Sequence, residues 1–128
     1  MVDPSPRRKL AVILVTDVVG YSSMMEKNED QTLKNLKACR NIIEGLVDEH
    51  HGNIFNTAGD SILAEFQSAV EAVICGSEFQ STIKERNNSI PEEERMEFRV
   101  GINMGDVVIE GENLYGEGVN VAARLESL

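Results

Sequence analysis

Four side chains have the types and placement to do chemistry together: Asp17, Asp60, Asn120 and Arg124. Asp17 follows the apolar run LAVILVT, and Asp60 sits inside FNTAGDSILAEF, between two stretches that look buried. A charge in such a place is costly unless it is paired or bound to a cation. Two carboxylates brought together repel, and one pKa rises unless a cation holds them. Mg²⁺ suits such a pair, because it takes one or two carboxylates, keeps waters and is completed by substrate phosphates. Two such ions about 3.5–4 Å apart stabilise both the attacking and the leaving oxygen of an in-line phosphoryl displacement. Taken singly, Asp17 also reads as a cap on the turn that follows, and Asp60 as a plain hairpin bend.

Asn120 and Arg124 lie in LYGEGVNVAARLE, four residues apart and therefore on one face of a helix. Val119, Ala122, Ala123 and Leu125 form its apolar face. An amide beside a guanidinium can hydrogen-bond a sugar and stabilise charge on a phosphoryl group, whose oxygens the arginine fork fits. The plainer reading is an exposed helix start in which Arg124 pairs with Glu117 or Glu126. Gly116 and Gly118 favour the first reading, since they let backbone approach closely.

The elements that must position these groups follow from hydrophobic periodicity. LAVILV is continuous rather than alternating, as in a strand covered on both faces, and ends near Asp17. From about Asp30 to His50, Leu33, Leu36, Cys39, Ile43, Leu46 and Val47 recur every three or four residues, one stripe of an amphipathic helix. NIFNTAGDSILAEF reads as strand, turn and strand, and Ala69 to Ile83 as a second helix. Pro91 keeps helix out of the polar connector NNSIPEEER. MEFRVGINMGDVVIEGENLYGEG reads as a second hairpin with glycines at its bends, Asp106 among its turn residues, and VNVAARLESL as a helix just begun. The order is strand, helix, strand, strand, helix, strand. That predicts an α+β fold: a ferredoxin-like, split βαβ sheet with helices on one face, truncated at its C-terminus. In that sheet the strands carrying Asp17 and Asp60 are neighbours, so both carboxylates converge at one end.

The totals exclude several alternatives. A chain of 128 residues favours one domain with a real core. A net charge of −10 and no basic stripe argue against nucleic acid as a partner. PRRK at residues 6–9 reads as a solvated lead-in to the first strand. Cys39 and Cys75 have no metal-spaced neighbours and read as free core thiols in a reducing compartment. No apolar run reaches the roughly 20 residues needed to span a bilayer. The expected location is cytoplasmic, with any membrane attachment made through domains outside this chain.

VTDVVGYSSMM, GNIFNTAGDSILAEF, FRVGINMGDVVIEG and LYGEGVNVAARLE, in that order, resemble the catalytic domain of the class III adenylate/guanylate cyclases. The resemblance runs from Leu10 to Leu128, leaving 1–9 as lead-in or linker. It implies a homodimer with each active site across the subunit interface, and Mg²⁺ or Mn²⁺ as cofactor, two ions per site. The family's metal-binding aspartates match Asp17 and Asp60, with the Val18 carbonyl as a further ligand. Its transition-state pair, contributed by the partner subunit, matches Asn120 and Arg124. Backbone N–H groups around Val19, Gly20 and Tyr21 would cradle the triphosphate.

Two positions depart from the pattern. Where ATP-using members carry a lysine and an aspartate that read adenine, this chain has Asn56 and Asn113. Two amides can each donate or accept, so this pair does not fix the base by itself. The carboxylate and cysteine arrangement associated with guanine is also missing, which favours ATP, with GTP as the alternative. The family's lysine for the β and γ phosphates lies beyond the last residue, as does its final strand pair. The expected function is conversion of ATP to 3′,5′-cyclic AMP and pyrophosphate. The rival is a cyclase-like nucleotide-binding or regulatory module without turnover. A polymerase-palm nucleotidyl transferase shares the paired aspartates but requires a basic template surface that this chain lacks. His50 and His51 read as a helix end, and Met24 and Met25 as packing residues.

Overall fold

The computed structural model describes the backbone of residues 7–126 and the side chains of residues 7–123. Strand β1 (Arg7–Val18) is followed by a short helix α1 (Tyr21–Lys27), a long helix α2 (Glu29–Glu49) and the hairpin β2 (Asn53–Ala58) and β3 (Ser61–Phe66). Helix α3 (Ala69–Asn88), a 3₁₀ turn at Glu92–Glu94, β4 (Phe98–Glu110), β5 (Asn113–Tyr115) and α4 (Glu117–Glu126) complete the order. The five strands form one sheet in the order β2-β3-β1-β4-β5, with every neighbouring pair antiparallel.

Side-chain caps start the two long helices. Asn28 Oδ1 accepts the Gln31 N–H at 3.1 Å for α2, and Ser68 Oγ accepts the Glu71 N–H at 3.3 Å for α3. Each cap satisfies one backbone donor that a helix start otherwise leaves free.

Consecutive residues of β1 point to opposite faces, yet Ile13 and Leu14 are both 0% exposed. The sheet is therefore covered on both sides. Val12, Leu14 and Val18 pack with Leu36, Cys39 and Ile43 of α2 and Cys75, Phe79 and Ile83 of α3. Ala11, Ile13 and Val15 pack with Val107, Leu114, Val119 and Ala122, the last two from α4. The expectation of helices on one face is thereby corrected. The long helices share one face, and the short apolar stripe of α4 covers the other.

Three further differences have local causes. Strand β1 begins at Arg7, within the stretch read as lead-in, because β4 is long enough to pair Arg7 with Ile109. Helix α1 was not expected, since it is seven residues long and fully buries none of them. Its Tyr21 and Met24 pack against the core from the rim. Asp106 is not a turn residue: β4 runs through Gly101 and Gly105, and Asp106 pairs with Leu10 in mid-strand. The real bend is at Gly111 and Glu112.

Candidate active site

The β1/β3 ladder decides how the two aspartates meet. Its last pair is Thr16 with Ile62, beyond which the chain turns back at Gly59 and Asp60. Val18, two residues further along β1, has no strand partner on that side. Its N–H donates instead to Asp60 Oδ2 at 3.0 Å. The Asp60 carboxylate is thus tied to the residue next to Asp17, and both acids stand at one end of the sheet. The turn is a two-residue hairpin, Ala58 pairing with Ser61, and Gly59 takes φ +59°, a conformation that suits glycine at the first turn position.

Asp17 has a charged partner on the neighbouring strand. Asp17 and Arg99 are register partners on β1 and β4, and the guanidinium donates from Nε to Oδ1 at 3.2 Å and from Nη2 to Oδ2 at 3.4 Å. These are long contacts to a half-exposed arginine. The donor set still fits a hard divalent ion. Asp60 keeps one oxygen free of the Val18 bond, and both Asp17 oxygens meet the half-exposed Arg99 at long range.

The expected phosphate-binding turn is only partly available. The Val19 N–H donates to the Glu97 carbonyl at 2.8 Å, so it is already engaged. Gly20 caps α1 and Tyr21 opens it. Val19 and Gly20 also line a recess of 490 Å³ between α1, α2 and the 92–97 segment, with Lys27 and Arg95 among its walls.

Asn120 is exposed on the first turn of α4, with its own N–H bonded to the Gly116 carbonyl at 3.0 Å. Arg124 falls in the same helix, but its side chain lies outside the described residues. The helix is seated closely. A Cβ on Gly118 would stand 2.6 Å from the Asp106 carbonyl oxygen, so only glycine allows this approach. The Asn103 amide donates to the Gly118 carbonyl at 3.1 Å and pins the contact.

The two positions expected to read the base, Asn56 and Asn113, stand on strands at opposite ends of the strand order. A register shift after Ile54 makes Phe55 a bulge and sets Asn56 opposite Leu63, on the α4 side. Asn113 is turned onto its own strand, its Oδ1 accepting the Leu114 N–H at 2.8 Å and its Nδ2 donating to the Tyr115 hydroxyl at 3.1 Å. A cleft of 370 Å³ between the β2 and β5 edges is lined by Lys9, Phe55, Glu65, Glu112 and Leu114. It holds none of the expected site residues, and Lys9 is eight residues from Asp17 along β1, about 26 Å at a strand's rise.

Among the described residues, Glu49, His50 and Glu78 are the group of three acidic or imidazole ligands close enough to share an ion. That group lies at the other end of α2 from the aspartates. There the His50 ring is already bonded on both nitrogens, to Glu71 at 2.8 Å and Glu78 at 3.0 Å. The Glu78 and then the Glu71 hydrogen bond raise its pKa above the ordinary histidine value. His50 does end α2, as expected, and in addition ties it to α3. Cys39 and Cys75 are buried and free, and burial above all pushes the Cys75 thiol up to about 11.

The family model of the adenylate and guanylate cyclase catalytic domain matches residues 4–128. The chain belongs to that family. A Rhizobium meliloti (strain 1021) protein named "Putative adenylate cyclase 3" is 45% identical over 129 residues, which is 100% of this chain and 22% of that protein. An adenylate cyclase of Streptomyces coelicolor is 30% identical over 122 residues, covering 94% of this chain and 30% of its own length. This cyclase domain therefore spans less than a third of either relative. Among solved structures, an adenylate/guanylate cyclase/hydrolase from Silicibacter pomeroyi superposes with a TM-score of 0.87 at 40% identity, over 96% of this chain and 72% of that one. No helix among the described residues is long and apolar enough to cross a membrane.

Proposed function

We propose that this cyclase domain converts ATP to 3′,5′-cyclic AMP and pyrophosphate. The observation that carries the reading is the Asp60 carboxylate bound to the Val18 N–H, beside Asp17, in a chain of this family. Asp17, the Val18 carbonyl and Asp60 would hold two Mg²⁺ or Mn²⁺ ions. When bound, these supply positive charge to the attacking 3′-hydroxyl and to the triphosphate. The 3′-oxygen bonds to the α-phosphorus as the bond to the bridging oxygen of pyrophosphate breaks, and the hydroxyl proton passes to water.

The chain's own groups bind and orient. Gly20 and Tyr21 offer backbone N–H groups to the phosphates. Asn120 of a second subunit orients the ribose, and Arg124 of that subunit stabilises charge growing on the α-phosphoryl group. The strand order and split βαβ connections support a ferredoxin-like core. A cytoplasmic location fits the two free buried thiols.

Asn56 and Asn113 stand as the base-reading pair, and guanylate cyclase activity is the second reading, since two amides accommodate either purine edge. The test is incubation with ATP or GTP in the presence of Mn²⁺. Cyclic AMP in excess of cyclic GMP is the expected product. Nucleotide binding with no cyclic product from either would make the domain a binding module instead.

A further inference from the structure

Arg40 stands in mid-α2, on the helix layer. Its Nη2 crosses to the β2/β3 turn and donates to the Gly59 carbonyl at 2.8 Å. Its Nε is buried and has no hydrogen-bond partner among the described residues. A dry, unpartnered N–H on a charged group is costly, and an arginine needed only for solubility would extend into water. A local rule broken in this way marks a position kept for something other than stability. What the guanidinium gains is a hold on the residue before Asp60, with a positive charge one residue from that carboxylate.

We propose that Arg40 is a positioning residue of the metal site: through Gly59 it holds the turn so that the Asp60 carboxylate stays on the Val18 N–H at the end of β1. Two hydrogen bonds in series, Arg40 to Gly59 and Val18 to Asp60, span from the helix layer through the turn to the strand that carries Asp17. Without the first, the second is the remaining hydrogen bond at the hairpin tip among the described residues, and an exposed two-residue turn swings readily. This inference rests on the reading of Asp60 as a metal ligand.

The test uses Arg40→Met, which keeps the packed stem but loses the donors and the charge, and Arg40→Lys, which restores one donor and the charge. Two readouts are taken on nucleotide-free protein: amide hydrogen exchange at Val18, and Mn²⁺ affinity followed by the electron paramagnetic resonance of the free ion. In Arg40→Met, Val18 exchange speeds up and Mn²⁺ binding weakens, each by about tenfold, the worth of one charge-assisted hydrogen bond. Arg40→Lys recovers part of both, and added Mn²⁺ restores turnover in Arg40→Met, which general loss of fold would not allow. Wild-type exchange at Val18 and wild-type Mn²⁺ affinity in both variants would overturn the proposal. Asp60→Asn run alongside separates the two readings. If it binds Mn²⁺ as tightly as wild type, the metal role of Asp60 fails, while Val18 exchange in the Arg40 variants still decides whether Arg40 holds the turn.

Discussion

The Val18 N–H donates to the Asp60 carboxylate at 3.0 Å, across 42 residues of sequence. Beyond the last β1/β3 pair a strand N–H would otherwise lack a partner, and an acidic side chain takes the place of the next ladder carbonyl. The bond therefore has two consequences. It completes the sheet at the end that carries Asp17, and it fixes one carboxylate oxygen while leaving the other open.

The seat of α4 is tested by Gly118→Ala. The added methyl meets the Asp106 carbonyl at 2.6 Å and the Gly105 carbonyl carbon at 3.1 Å, and neither backbone atom can rotate away. The helix must shift, at a cost of about 1–3 kcal/mol, read from the denaturant midpoint. Turnover falls further than stability alone would explain, because Asn120 moves with the helix. Unchanged stability would mean that α4 is not held this closely to β4.

His50 makes stability depend on pH. Both ring nitrogens bond carboxylates, from Glu71 and Glu78, with Glu49 also nearby, so the imidazole is charged when both bonds are made. Its pKa is raised in the folded state, first by Glu78 and then by Glu71. The stabilisation is therefore fully present below the ordinary histidine value and is lost as pH rises through the raised one. Melting temperatures of wild type and His50→Gln should differ most below the ordinary histidine value and converge once the pH has risen through the raised one. A gap that widens toward alkaline pH would reverse this assignment.

A site shared between subunits predicts complementation. Asp60→Asn and Asn120→Ala are each expected to be inactive alone. Mixed with subunit exchange, half of the dimers are mixed pairs, each with one intact site, so about a quarter of wild-type activity returns. No recovery, with dimers present, would place both residues in the same subunit's site.

The core and the candidate site were legible in the sequence to different degrees. The continuous run from Ala11 to Val15 announced a strand buried on both faces, and the stripe from Leu36 to Val47 announced α2. Hydrophobic periodicity shows that a helix has an apolar face, but not which side of a sheet it covers, so the place of α4 opposite α2 and α3 was missed. Asp106 after Gly105 reads as a turn in sequence, although both are strand residues of β4, Gly105 close against Gly118. Arg99 was missed because its link to Asp17 exists only through the β1/β4 register, 82 residues apart in sequence. Arg40 had no signal beyond its place on a helix, since its target is a backbone carbonyl. For Asp17 and Asp60 the order of the strands was enough, because it made β1 and β3 neighbours.

The central claim, that the Asp60 charge binds catalytic cations, is tested most directly by turnover of Asp60→Asn with Mn²⁺. Asparagine keeps an oxygen to accept the Val18 N–H, so the melting temperature should stay close to that of wild type. Cyclic nucleotide formation should fall by about a thousandfold or more, as when a single charge-stabilising group is removed from a phosphoryl-transfer site. A folded Asp60→Asn protein that retains wild-type Mn²⁺-dependent synthesis would contradict the account.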